Sequence, residues 1–326
     1  VIDNAATYGI KLEENYADLW LVNNRYNKES IFALNFADGL GDNQCGAEWR
    51  PTSIGSESGW GFFYTKQSYI DKFDDKDKRK AATFLTEIVS TVDNKTYTTE
   101  NFGSPYPHGK KWCDGGRENF SQRNKRTDMY IPIIRYAEIL LINAEAKAEL
   151  GILTQNDLNT TVNLLRSRVE MPEMTMNVPI DPALEALYPS VSGALKNVIL
   201  EIRRERRVEL ACEGFRYDDT MRWAGGSIYE RPFEGVYLPG FGVYDCTGDG
   251  VPDVALFKSP NDKMGYTDEE LKELSVYYTE DENGAPKQIY LSEGDKGNIR
   301  FYSDTDEDAN KFIAPKYYYY PLSKDE

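Results

Sequence analysis

Histidine is almost absent: the 326-residue chain holds one, His108. That excludes a histidine-rich zinc site, and a Ser-His-Asp hydrolytic triad would have to pass through this residue. It sits in SPYPHGKKW, where a solvated loop histidine is expected. Cysteine is scarce too. Cys45, Cys113, Cys212 and Cys246 form no CxxC pair, so zinc-ribbon and thioredoxin-like arrangements are excluded. Four cysteines are also too few for a disulfide scaffold. Long apolar runs are missing. The most apolar stretch, residues 131–150, carries Arg135, Glu138, Glu145, Lys147 and Glu149, and no segment reads as a bilayer span. Positive charge is in deficit, with 38 Lys and Arg against 54 Asp and Glu and a net charge of -16. DNA and RNA are bound mainly through basic residues, so neither is an expected partner. A polybasic membrane patch is excluded on the same ground.

A chain of this length can bury about three quarters of its unfolded surface. One large domain or two moderate ones are expected. YGIKLEENYADLWLVN places Tyr8, Leu12, Tyr16, Leu19 and Trp20 near helical spacing, and ESIFALNF reads as a short buried strand. QSYIDKFDDKDKRKAATFL reads as an amphipathic helix with a charged turn, and TFLTEIVSTV as a strand. The signs alternate in DDKDKRK, which predicts a solvated turn. The strongest helical signal starts at Ile131, with Pro132 near its start and Gly151 just past its end. Ile134, Ala137, Leu141, Ala144 and Ala148 mark its apolar face. A second helix, TQNDLNTTVNLLRSRVEMP, completes a helical hairpin whose small residues allow tetratricopeptide-like packing; one hairpin is not a period. A third helix runs LKNVILEIRRERRVELACEGFRYDDTMRW. Its Glu201, Glu205, Glu209 and Glu213 interleave with Arg203, Arg204, Arg206 and Arg207 at i, i+3 and i, i+4 spacings, a salt-bridged face rather than a phosphate-binding one.

RYAEILLINAEAKAELG, TVNLLRSRVEMP and ILEIRRERRVELACEGFRYDDTMRW, in that order, resemble the C-terminal half of the SusD/RagB family. NNRYNKESIFALNFADG, RPTS, GWGFF and FDDKDKRKAATFL match the same family upstream, and KYYYYPLSKDE resembles its closing strand. The resemblance implies a mostly α fold with loop-rich and short β parts on a tetratricopeptide-like scaffold. It implies a single domain over 1–326, with a helical core about 128–223 and loop-rich parts 38–126 and 224–326. N-terminal helices, a lipidated cysteine and a C-terminal tail are expected to lie beyond the chain. The implied setting is the outer membrane, surface-exposed. There such proteins capture glycan, or peptide in the RagB type, and deliver it to a TonB-dependent SusC-like transporter without catalysis. Membrane contact would come only through an N-terminal lipid anchor. The motif residues Arg135, Glu138, Arg166, Arg168, Glu205, Arg206, Glu209 and Arg222 are expected to be structural.

Sugar recognition in water needs aromatic faces for C–H surfaces beside amides, carboxylates and guanidinium groups for hydroxyls. The Gly- and Asp-rich stretch from Asp38 to Tyr64 offers that mixture: Asp38, Asp42, Asn43, Gln44, Trp49, Arg50, Trp60 and Tyr64. The competing reading is that its aromatics staple a long loop to the core. Tyr106 to Trp112 is a weaker candidate. DCTGDGVPD matches the start of an acidic calcium loop, with Asp245, Thr247, Asp249, the Val251 carbonyl and Asp253 as ligands and Gly250 at the sixth position. Leu256 replaces the twelfth-position Glu, so a structural Ca²⁺ of modest affinity is expected, against an alternative of a plain acidic turn. A glycoside hydrolase would need a defined carboxylate pair, and no spacing marks one.

Overall fold

The computed structural model describes residues 1–35, 65, 67–70, 72–85, 87–89, 96–98, 108–109, 111, 130–231, 234–245, 250–301 and 311–319. The chain divides into two compact units, Val1–Asp219 and Thr220–Glu326.

The first unit opens with 3₁₀ turns at Ile2–Asn4, Tyr16–Trp20 and Val22–Asn24, the last two where the apolar spacing predicts an α-helix. Short polar side chains take over the backbone groups that a helix would use. Asn15 accepts from the Ala17 N–H, and the Asn24 amide donates to the Asp18 carbonyl. The apolar face survives the change: Tyr16, Leu19 and Trp20 are buried. Strand β1 (Ser30–Leu34) follows. It is more exposed than expected, because Ile31, Phe32 and Leu34 sit on a two-stranded ribbon with β6. Two short helices, α1 (Gln67–Ile70) and α2 (Lys78–Thr83), lead to strand β2 (Phe84–Leu85). Strands β3 (Glu87–Val89) and β4 (Thr96–Thr98) pair with each other, and β5 (His108–Gly109) pairs antiparallel with β2. His108 is thus in a short strand, not a loop.

Residues 131–135 form strand β6 (Ile131–Arg135) instead of the first turn of a helix. Ser30 pairs with Arg135, and Leu34 with Ile131. Pro132 is tolerated because the ribbon is irregular there and has an open side. Helix α3 (Tyr136–Glu149) then begins, and Gly151 (φ 71) takes the left-handed conformation that closes it. The expected second helix is two: α4 (Gln155–Asn159) and α5 (Val162–Arg168). Thr160 and Thr161 divide them, each hydroxyl donating back to a carbonyl of the preceding turn. Helix α6 (Pro182–Leu187) starts with Asp181 as its cap and Pro at its first position. The third expected helix is also two, α7 (Lys196–Glu209) and α8 (Arg216–Arg222). Cys212 (φ 61) and Gly214 (φ 90) turn the chain between them.

Helix α3 packs on α5 and α7. Leu140, Leu141, Ala144, Leu165 and Ile202 have no exposed surface in that core. Each such Leu or Ile contributes about 1.5–3 kcal/mol through burial.

In the second unit, β7 (Tyr237–Leu238), β8 (Gly242–Tyr244) and β9 (Val254–Phe257) precede helix α9 (Asp268–Leu271). Strands β10 (Ser275–Tyr278), β11 (Ile289–Leu291) and β12 (Gly297–Phe301) follow. One three-stranded sheet has the order β10-β9-β8, with β9 and β10 parallel. The other has the order β11-β12-β7 and is antiparallel. Leu238, Leu256 and Leu291 form one small core, and Ala255, Phe257 and Leu271 another. Gly226 is required by close packing, since an added Cβ would lie 2.1 Å from the Phe312 ring.

Candidate functional site

Helix α7 presents Glu205 and Glu209 one turn apart on one face. Arginines from three other elements converge on that face. Glu209 has no exposed surface; it accepts from Arg135 Nη1 at 2.7 Å, from Arg79 Nη1 at 3.0 Å and from Arg168 Nη2. Arg135 and Arg168 also hold Glu29, just before β1, at 2.8 and 2.7 Å. In the turn after α7, Glu213 takes Arg135 Nε and Lys111 Nζ, each at 2.7 Å. Asp77 caps α2, accepting from the Arg79 N–H at 2.9 Å, and pairs with that arginine's guanidinium. Arg166 reaches Glu205 at 2.9 Å. Five cations (Arg79, Lys111, Arg135, Arg166, Arg168) thus meet five carboxylates (Glu29, Asp77, Glu205, Glu209, Glu213) in a nearly dry lattice.

The arrangement answers a physical need. A buried carboxylate costs several kcal/mol in lost solvation unless it is paired and fully hydrogen-bonded. Burial alone would raise the Glu209 carboxyl, yet Arg168, Arg135 and Arg79 together hold it well below the usual carboxylate range. Burial acts the same way on Glu213, and Arg135 and Lys111 overcome it. Burial lowers the Lys111 ammonium, with Glu213 opposing. That ammonium also lies 4.7 Å over the Trp20 ring. Burial, with Glu209 and Glu213 nearby, pushes the Tyr16 phenol up; its hydroxyl donates to the Glu209 carbonyl at 2.8 Å.

The motif residues Arg135, Arg166, Arg168, Glu205 and Glu209 all belong to this lattice. Arg206 points elsewhere, its Nε bound to both Asp219 oxygens at 2.8 Å with Glu138 at 3.6 Å. Arg222 stacks 4.6 Å over Trp223. Asp77, Arg79 and Lys111 were not anticipated. DDKDKRK reads as a solvated turn, but Asp77 and Arg79 are 4% and 1% exposed. Alternating signs describe a surface only when nothing packs on it, and here the acids of α7 do. The one usable signal was Asp77 in N-cap position before a helical run.

The expected ligand residues Asp38, Asp42, Asn43, Trp49, Arg50, Trp60 and Tyr64 lie outside the described residues. The segments flanking them are fixed. Glu29 anchors the approach through β1, and beyond Tyr64 the Tyr69 ring packs edge-on against Phe73 and Phe84, with centroids 6.0 and 5.8 Å away. In the weaker candidate loop, Lys111 is a lattice member. In the acidic loop, Thr247 and Asp249 lie outside the described residues. Asp245 Oδ2 accepts from the Gly250 N–H at 2.7 Å, and Gly250 has φ 86, in the left-handed region that favours glycine. Val251 is exposed, and the Asp253 backbone bonds to Tyr244 and Ser275. Among the described residues, no group of three His, Cys, Asp or Glu is placed to hold a metal ion.

A model of the SusD family matches residues 28–326. Among solved structures, a SusD-like protein of Bacteroides fragilis is 24% identical, over 72% of this chain and 53% of that one, with a TM-score of 0.57. A SusD-like carbohydrate-binding protein of the same species is 21% identical over 73% and 50%, with a TM-score of 0.55. Surface glycan-binding protein A of Bacteroides thetaiotaomicron is 19% identical over 71% and 50%, with a TM-score of 0.52. These likenesses establish the fold, and the chain spans about half the length of each of the three structures. No curated protein matches.

Proposed function

Because this chain belongs to the SusD family, we propose that it captures oligo- or polysaccharide at the bacterial surface and delivers it, unhydrolysed, to a TonB-dependent SusC-like transporter in the outer membrane. The family match over 28–326 carries this reading. Two relatives of the same fold are described as carbohydrate- or glycan-binding, which supports it. No helix among the described residues is long and apolar enough to cross a membrane. Attachment would come through an N-terminal lipid anchor, as the family resemblance implies. The lattice on α7 would act as a rigid base, and Trp49, Trp60 and Tyr64, with Asp38, Asp42, Asn43 and Arg50, would supply the ligand contacts. Calcium held by Asp245, Thr247, Asp249, the Val251 carbonyl and Asp253 would pin the second unit's acidic loop.

A glycan array probed with the labelled protein tests the proposal, with reducing ends assayed on every glycan retained. Binding to one polysaccharide class without new reducing ends is expected. Release of reducing ends would make the protein an enzyme. Retention of a peptide library instead of any glycan would favour capture of the RagB type.

A further inference from the structure

Helix α7 carries a second, opposite chemistry. Arg203, Arg204 and Arg206 have carboxylate partners in Glu149, Asp181 and Asp219. Among the described residues Arg207 has none. Its guanidinium stacks 4.8 Å over the Tyr69 ring, and its buried Nε has no hydrogen-bond partner. Arg206 Nη1 is likewise buried without one. Both arginines line a cavity of about 330 Å³ between α7 and the turn at 210–215, with Leu210, Ala211 and Phe215 as apolar walls and Arg216 beside them. The carboxylate on its lining, Asp219, is already engaged by Arg206 Nε. Burial lowers the Arg207 guanidinium, and the Arg216 charge lowers it further. A folded chain leaves like charges close together in a half-dry pocket at a cost, which a bound anion would offset.

We propose that this cavity is a subsite for the carboxylate of an acidic sugar, gripped by Arg207. The inference rests on the glycan-capture reading and adds a ligand class to it. Guanidinium and carboxylate match as planar forks, which an ammonium cannot reproduce. The volume lies at the small end of ligand pockets, which run from about 300 to 1,000 Å³, so it suits one ring and its acid group. A second cavity of about 160 Å³ shares Arg207 and is also lined by Lys72, Asp181, Arg203 and Arg204, with Arg204 already bound to Asp181. With a net charge of -16, the molecule as a whole repels such a ligand. Recognition is therefore local, within a Debye length of about 8–10 Å.

The test is calorimetry on the whole chain with digalacturonate, uncharged galactobiose and acetylated diglutamate. Digalacturonate should bind at least tenfold more tightly than galactobiose. R207Q should lose at least tenfold, and R207K should fall between the two. Cys212 lines the same cavity, so digalacturonate, and not galactobiose, should slow its alkylation in the wild-type chain; this readout stands even where R207Q fails to fold. Equal binding of the two sugars, unchanged affinity in R207Q or unprotected Cys212 would overturn the subsite. Arg207-dependent binding of diglutamate alone would assign the cavity to acidic peptide and overturn it too. Retention of a neutral polysaccharide on the array, with digalacturonate inert, would sink the subsite and leave the capture reading intact. Failure on both counts would remove both.

Discussion

Glu209 is the residue on which the first unit turns. Three arginines from three elements meet on one carboxylate that water does not reach. Neutralising it takes one carboxylate from three buried cations, which keep Glu29, Asp77, Glu205 and Glu213 as partners, so Glu209→Gln should cost about 3–5 kcal/mol in urea unfolding. The pH dependence follows from the same contacts. The folded-state pKa values of Glu209 and Glu213 are depressed, so their contribution is complete above the unfolded value of about 4.3. It is lost as pH falls from there through the folded values, because the unfolded state takes up protons first. Melting temperature should drop steeply below about pH 4.3 in the wild-type chain and less steeply in Glu209→Gln. Arg206→Ala should also destabilise, since buried Asp219 would lose the Arg206 Nε–H that both its oxygens accept. Unchanged stability in Arg206→Ala would contradict a structural role for this pair. At this scale Glu205 and Glu209 were legible because helical spacing and family motif agree on them, and Arg135 and Arg168 from the family motif alone. Arg79 and Lys111 were not, because burial depends on what packs across from a residue, and local charge pattern is blind to that.

Elements were legible in their apolar faces and not in their breaks. Ala137, Leu141, Ala144 and Ala148 are buried as the spacing of α3 predicts. The divisions after α4 and α7 come from Thr160 and Thr161 hydroxyls and from left-handed Cys212 and Gly214. Neither signal interrupts a 3.6-residue period. Helix α4 depends on a capping box, in which Thr154 accepts from the Asp157 N–H while Asp157 accepts from the Thr154 N–H. With Lys147 first among the causes and Thr154 next, the Asp157 carboxyl is pulled down to about 2. Thr154→Ala should cost about 1 kcal/mol, read as a shift in urea midpoint at unchanged slope. The acidic loop before β9 makes a separate prediction. Chelation should lower the melting temperature, calcium should restore it, and Asp249→Ala should abolish the response. A chain indifferent to chelator and calcium would leave Asp245 to Asp253 as a plain acidic turn.

At the scale of the whole molecule, family membership was readable from several ordered motifs spread along the chain, and no single one would have sufficed. The ligand site was much less legible. Binding loops are surface segments whose residues answer to a ligand and not to a core, so no periodicity points to them. Composition singles out Trp49 and Trp60, whose indole faces suit sugar C–H surfaces. The most direct test of capture is native electrophoresis through gels cast with the polysaccharide that the array selects. Wild-type chain should be retarded, and the polymer should emerge uncut. Trp60→Ala or Trp49→Ala should relieve the retardation, a loss of about 1–3 kcal/mol, at an unchanged melting temperature. Mobility of the wild-type chain unaffected by any polysaccharide, or equal retardation of both variants, would contradict glycan capture by this loop.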